Sequence, residues 1–292
     1  MLPYFIRHYD PFVDGFVIID DGSTDGSVEF LTDQPKVKLI KANRKDTSYL
    51  EQSHMFFNEA WKESRSNADW IITCNIDEHV YHGNIEVYLQ RCRQHGVTVL
   101  PAQGYEMIAL EFPSSRGRLC DEVRLGAQAQ RLAGPSSMLN KIMAFNPQAI
   151  EDIHFDIGRH TACPTGRVVY PDSVELKMLH YKFLGLEYAK QRYAELKRGL
   201  SSADMKQGLG GQYTWDASKV QRNYESILSV AHVVVPAGWI SDAGLNLSFL
   251  PQRIKLRLLG IVAQHYHHPI IRLLLPIFDA VRKAFSPVLF KR

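Results

Sequence analysis

No two of the four cysteines form a Cys-x-x-Cys pair; Cys74, Cys92, Cys120 and Cys163 stand far apart in the chain. That spacing argues against a zinc knuckle or a thiol redox motif and suits a reducing cytosol. No uninterrupted apolar stretch reaches spanning length, and no signal peptide opens the chain. The expected location is therefore the cytoplasm, either free or peripheral on the inner face of a membrane. The body also lacks positive charge. Of an overall +3, residues from Pro251 onward carry +7 (eight Lys/Arg against one Asp), which leaves −4 over residues 1–250. Nucleic acid is not an expected partner of such a body.

What the chain does have is an ordinary globular composition, 45% apolar and 22% charged over 292 residues. That is enough for one large domain or two modest ones. Its most telling stretch is Trp70-Ile71-Ile72-Thr73-Cys74-Asn75-Ile76-Asp77-Glu78-His79. This apolar run is too short for a helix and reads as a buried strand that ends in two carboxylates and an imidazole. Strand ends are where open α/β sheets bind ligands. Adjacent carboxylates there suit a hard divalent cation, Mg²⁺ or Mn²⁺, shared with phosphates. A solvated acidic turn is the alternative.

Ahead of it, Leu2 to Tyr9 reads as a helix and Val13 to Ile19 as a strand. The strand runs into Asp20-Asp21-Gly22-Ser23-Thr24-Asp25-Gly26-Ser27 and a helix from Ser27 to Leu31. Strand, glycine-containing polar turn and helix start can cradle a nucleotide, or the turn can be an Asx-turn that caps the helix. Its acidity counts against nucleotidyl transfer, which calls for a glycine- and lysine-rich turn. A strand over Lys36 to Ile40 and a helix over Thr47 to Glu63 follow, with Leu50, His54, Phe57 and Trp61 on its core face. The alternation predicts a parallel sheet covered by helices.

Further on, Ile85 to His95 reads as a helix, Val97 to Pro101 as a strand and Gln103 to Arg131 as loop-rich, with Asp121 and Glu122 on a mobile segment. Lys141 to Phe145 is a strand whose leading Lys141 either approaches a phosphate or is simply exposed. Val174 to Tyr181 is a late strand that places Val174, Leu176, Met178 and His180 on one face. His180 is then a ligand at the strand end or a buried structural histidine. Leu186 to Leu200 reads as a helix, and Ser201 to Thr214 as a flexible loop ending near Tyr213 and Trp215. From Pro251 the chain turns basic, amphipathic and discontinuous. That pattern fits an anionic membrane surface, with a homo-oligomer interface or a helix packed on the body as the competing account.

Together, the acidic turn at Asp20–Ser27, the Trp-led strand ending Asp77-Glu78, the Gly158-x-His160 segment and the late His180-Tyr181 resemble the family 2 type of glycosyltransferases with the GT-A fold. Within it, the resemblance is to the branch whose second motif reads Asp-x-Asp-Glu-aromatic, and it spans roughly residues 2 to 195. The resemblance implies a mostly parallel α/β sheet sandwiched by helices over residues 1–250, with the nucleotide side at about 1–110, the acceptor side at about 111–250 and a tail at 251–292. It implies that Asp20 and Asp21 contact the nucleotide, with Ser23 and Asp25 of the same turn beside them, and that Asp77 and Glu78, with His180 and the departing His79 as further ligands, hold a divalent cation, Mn²⁺ or Mg²⁺. From their own positions rather than from a motif, Lys141 is a candidate phosphate contact and Asp156, after the sheet, the candidate base, with Asp121 or Glu122 behind it. The partners implied are a nucleotide-diphosphate sugar and a saccharide or lipid-linked saccharide acceptor. Asn75 and His79 depart from the branch motif, and the family's first strand would lie upstream of Met1. A non-catalytic, membrane-associated binding or scaffold protein is the reading from another class.

Overall fold

The computed structural model describes residues 1–42, 48–113 and 116–236. Helix α1 (Leu2–Tyr9) lies along the edge of the strand that carries the acidic motif, β4 (Glu78–Tyr81). Two of its side chains stand in for a neighbouring strand. The Tyr9 hydroxyl donates to the Glu78 carbonyl at 2.9 Å and accepts from the Val80 N–H at 2.8 Å, and His8 Nε2 lies 2.7 Å from the Val80 carbonyl. A buried strand edge needs such partners because it has lost water. Tyr9→Phe orphans two of these backbone groups and is expected to cost about 2–4 kcal/mol. Urea unfolding measures it, and an unchanged midpoint would mean that the hydroxyl carries none of this load.

Strands β1 (Phe16–Asp20) and β2 (Val37–Lys41) pair in parallel across helix α2 (Ser27–Thr32), as the sequence pattern predicts. There the parallel alternation stops. The expected strand from Trp70 to His79 is two strands, because a turn at 73–77 separates β3 (Ile71–Ile72) from β4. β3 pairs with β7 (Lys141–Phe145), and β4 pairs with β8 (Leu176–Leu184). These two strands join a seven-stranded sheet with β5 (Val99–Ala109), β6 (Leu125–Gln128) and β9 (His232–Val233). That sheet is largely antiparallel, which corrects the mostly parallel one expected: the pairs β3–β7, β4–β8, β5–β6, β5–β7 and β6–β9 run antiparallel, and β5–β8 runs parallel. β5 also extends well into the stretch expected to be loop-rich.

Cross-strand partners share a face. At one end of one face, Val80, Ala102, Leu176 and Met178 belong to the core that also holds residues of α1 and of helix α4 (Ile85–Gln94). At the other end, Ile108, Ala127 and Phe183 pack with Ala189 and Tyr193 of α6 (Leu186–Gly199) and Val220, Tyr224 and Ile227 of α8 (Ala217–Val230). The opposite face carries Met107, Leu179 and Tyr181 against Leu119 and Cys120 of the short helix α5 (Leu119–Glu122).

The segment expected as a flexible loop from Ser201 is instead anchored. It contains helix α7 (Ser202–Lys206), and the buried Asp204 carboxylate caps two helices at once. It accepts from the Ser201 N–H at 2.9 Å and hydroxyl at 2.6 Å, from the Tyr49 and Leu50 N–H groups at 3.2 Å, and from the Ser48 hydroxyl. The second set opens helix α3 (Tyr49–Glu59), so residues 201–206 are bound to the start of α3. Among the described residues no helix is long and apolar enough to cross a membrane. The basic tail at 251–292 and its histidines lie outside the described residues.

Candidate active site

Between the two apolar clusters, on the same sheet face, runs a row of titratable side chains. The register sets Glu78 of β4 opposite His180 of β8, and His180 opposite Glu106 of β5. All three are buried, at 2%, 6% and 1% exposure, so desolvation alone makes such a row costly. What supports each member decides what it can do.

Glu78 is held on three sides. Lys141 donates to Oε1 at 2.7 Å, Arg159 pairs with Oε2, and Asn75 donates to Oε1 at 3.3 Å through its side chain and to Oε2 at 3.2 Å through its N–H. Burial alone would raise its carboxyl, but Arg159 and Lys141 outweigh it and hold Glu78 well below the usual carboxylate range. Arg159 also donates to the Thr73 carbonyl at 2.7 Å and lies 4.2 Å over the Phe57 ring. It reaches in from a left-handed backbone, φ +58°, next to Gly158 at φ +85°. A Cβ on Gly158 would fall 2.8 Å from His160 Nε2, which explains glycine there. Lys141 is thus neither exposed nor directed at a phosphate: it is a buried counter-ion.

His79 is enclosed. Its ring stacks on His8 at 4.5 Å, with Phe5, Tyr9 and Tyr181 edge-on around it, and neither nitrogen has a hydrogen-bond partner. Its ring is fully covered among the described residues, at 0% exposure. His180 is different. Its Nδ1 lies 2.6 Å from Glu106 Oε1 and its Nε2 lies 3.8 Å from Asp77 Oδ2. Glu106 in turn accepts from the Ser136 hydroxyl at 2.8 Å. That contact depends on the 134–140 segment crossing closely over β5, where a Cβ on Gly104 would fall 2.3 Å from the Leu139 carbonyl oxygen.

Asp77 and His180 are therefore the pair that could share a cation, with Glu106 Oε1 close to the other imidazole nitrogen. Among the described residues no three His, Cys, Asp or Glu side chains come close enough to form a complete metal cage. Two donors still fit Mg²⁺ or Mn²⁺, which keep several waters and take oxygens from substrate phosphates.

Burial first, then Tyr213, Asp77 and Asp21, push the Tyr49 hydroxyl upward. Asp21, Ser23 and Asp25 are exposed. Asp20 is buried and accepts from the Gly22 and Ser23 N–H groups at 3.1 Å, an Asx-turn, while Asp25 accepts from the Ser27 N–H at 3.1 Å. Asp20 and Asp25 thus shape the turn, with Ser23 bonded back to Asp20.

Lys182 completes the surroundings. From His180 to Phe183 β8 takes one residue more than β5 does from Glu106 to Ile108, a bulge that places His180 and Phe183 on the same face. The Lys182 ammonium lies 5.7 Å from the Tyr193 ring and 5.4 Å from the Tyr213 ring. Burial would lower its pKa, but Tyr213, Tyr193, Glu106 and Asp77 together hold it above the ordinary lysine value.

Of the expected bases, Asp156 accepts from the Thr161 N–H at 2.9 Å in a turn closed by the Phe155–Ala162 bridge. Its charge acts on His160, as do those of Lys141 and Glu78. Asp121 pairs with Arg118 at 3.1 Å and acts on Tyr181, which faces away from His180. Glu122 shares α5 with it and acts on Tyr4. Glu106, by contrast, escaped the sequence reading, although Tyr105-Glu106-Met107 carries the alternation of a strand.

No family model matches the chain, and no curated protein matches it. Among solved structures, a 1–349 fragment of S. aureus TarS aligns with a TM-score of 0.30 at 12% identity, over 96% of this chain and 83% of that one. A longer S. aureus TarS chain aligns with a TM-score of 0.32 at 13% identity, over 96% of this chain and 50% of that one.

Proposed function

We propose that the chain is a metal-dependent glycosyltransferase that moves a sugar from a nucleotide diphosphate to a saccharide or lipid-linked saccharide. The observation that carries this reading is the Asp77–His180 pair, with Glu106 against the other imidazole nitrogen. Asp21 and Ser23 would meet the nucleotide. Asp77 and His180 would hold Mn²⁺ or Mg²⁺, which when bound neutralises phosphate charge. Glu106 keeps the imidazole oriented.

In the proposed inverting displacement, the acceptor hydroxyl oxygen forms a bond to the anomeric carbon. The bond from that carbon to the diphosphate oxygen breaks, and its electron pair leaves on the phosphate. The hydroxyl proton passes to a carboxylate, and Asp156 is the proposed base.

Asp77→Asn tests the reading. Calorimetry with UDP-, GDP- and dTDP-sugars in Mn²⁺ should identify one donor class for the native chain. The variant should lose about 100-fold or more in donor turnover, with an unchanged thermal midpoint. Full turnover in the folded variant removes Asp77 from the site. A native chain that binds none of these donors favours the scaffold reading.

A further inference from the structure

Lys182 has no carboxylate within ion-pair distance and no hydrogen-bond acceptor among the described residues, yet it is half-buried between two phenol rings. The contrast with the other two cations beside the row matters. Lys141 and Arg159 are in direct ion pairs with Glu78, whereas Lys182 has ring faces in contact and its acidic neighbours Glu106 and Asp77 beyond ion-pair distance. Ring faces attract a cation without supplying acceptors, so three N–H donors stay available. Strand alternation sets Lys182 toward the face that His180 occupies, two residues away, and the bulge adds Phe183 to that face. Bulges redirect side chains beside functional sites. The Asp204 cap holds the 201–206 segment, which leads to Tyr213, to the start of α3.

We propose that Lys182 is the anion-binding residue of this site and seats the terminal phosphate group of a diphosphate against the Tyr193–Tyr213 wall. The assignment rests on the sugar-transfer reading for its role, though not for its chemistry. In the reaction, the bond from the anomeric carbon to the phosphate oxygen breaks with its electron pair going to the diphosphate. Lys182 then faces the added negative charge without giving up a proton. The acidic neighbours Asp77 and Glu106 keep the pocket from holding bare phosphate tightly, and a divalent cation that offsets Asp77 would strengthen Lys182 binding.

The experiment is titration of inorganic pyrophosphate, with and without Mn²⁺, into the native chain, Lys182→Gln and Lys182→Arg, each checked for an unchanged melting midpoint. The expected result is pyrophosphate binding that weakens at least about tenfold in Lys182→Gln and is largely restored in Lys182→Arg. Equal affinity in the native chain and Lys182→Gln overturns the proposal and leaves sugar transfer standing. No pyrophosphate binding by the native chain, with a nucleotide sugar bound equally by all three proteins, overturns it too. Lys182-dependent pyrophosphate binding in a protein that binds no nucleotide sugar supports the anion site while the sugar-transfer reading falls.

Discussion

Glu78→Ala is expected to lower the unfolding free energy by about 3–5 kcal/mol, the cost of leaving a buried charge without its partner. The side chain is the sole carboxylate that Lys141 and Arg159 pair with, and all three are almost completely buried. Without it, two cations remain in the same apolar surroundings and repel each other. Lys141 already has its pKa lowered by burial, and losing Glu78 removes the largest opposing influence. The lysine can then shed its proton, which places the loss toward the lower end of that range. Arg159 has no such escape. The double variant Glu78→Ala/Arg159→Met should therefore be more stable than Glu78→Ala alone. The measurement is the urea midpoint of both variants, with Mn²⁺ binding in parallel. Unchanged stability with lost Mn²⁺ binding would make Glu78 a metal ligand and reverse its assignment as the counter-ion of a buried triad.

That triad marks where the sequence stops being legible. Local signals are read correctly where a short segment decides its own structure: α1, α4, α6, β1, β2 and β7 all fall where period and caps put them. The strand over Trp70–His79 is not, because its two halves pair with β7 and β8, some 70 and 100 residues further on. Nothing within ten residues encodes that division. The same distance hides the sense of the sheet, since a parallel alternation at the start does not oblige later strands to follow it. Asp77 and His180 are legible as chemistry at strand ends. Glu78 and Lys141 are legible as charges, but their pairing is not, so a counter-ion pair reads as a ligand and a phosphate contact. Glu106 goes unseen because nothing local distinguishes a buried acid in a strand from a solvated one in a loop. Its partners, His180 and Ser136, come from two other segments. The capped segment at Ser201 is the reverse case: a capping box was present in Ser201 and Asp204, and three glycines obscured it.

The chain should also lose stability on mild acidification, between pH 6.5 and 4, before its carboxylates titrate. His8 and His79 are stacked and buried at 3% and 0% exposure. Burial first, and then neighbouring cations, lower both: His8 to about 4 despite its bond to the Val80 carbonyl, and His79 well below the usual imidazole value, with His8 itself among the causes. In the unfolded chain both imidazoles take up protons near pH 6.5. The unfolded state therefore binds more protons throughout that window, and stability is full above it and falls as pH drops through it. His8 alone removes about 2–3 kcal/mol between pH 6.5 and 4.5, and His79 adds to the loss in the same direction. That is a substantial part of the roughly 5–15 kcal/mol typical of a domain. Depressed carboxyls such as Glu78 and Asp20 have the opposite form, and their stabilisation is lost only as pH falls below the unfolded carboxylate range. The two contributions therefore separate on the pH axis. His79→Phe keeps the ring among Phe5, Tyr9 and Tyr181 and removes two unpartnered nitrogens, so it should halve the slope of urea midpoint against pH in this window. It should also stabilise the chain at pH 7, because a buried polar ring gives way to an apolar one. A slope that His79→Phe leaves unchanged would show that the pair is not what acid attacks, and would return the transition to the carboxylates.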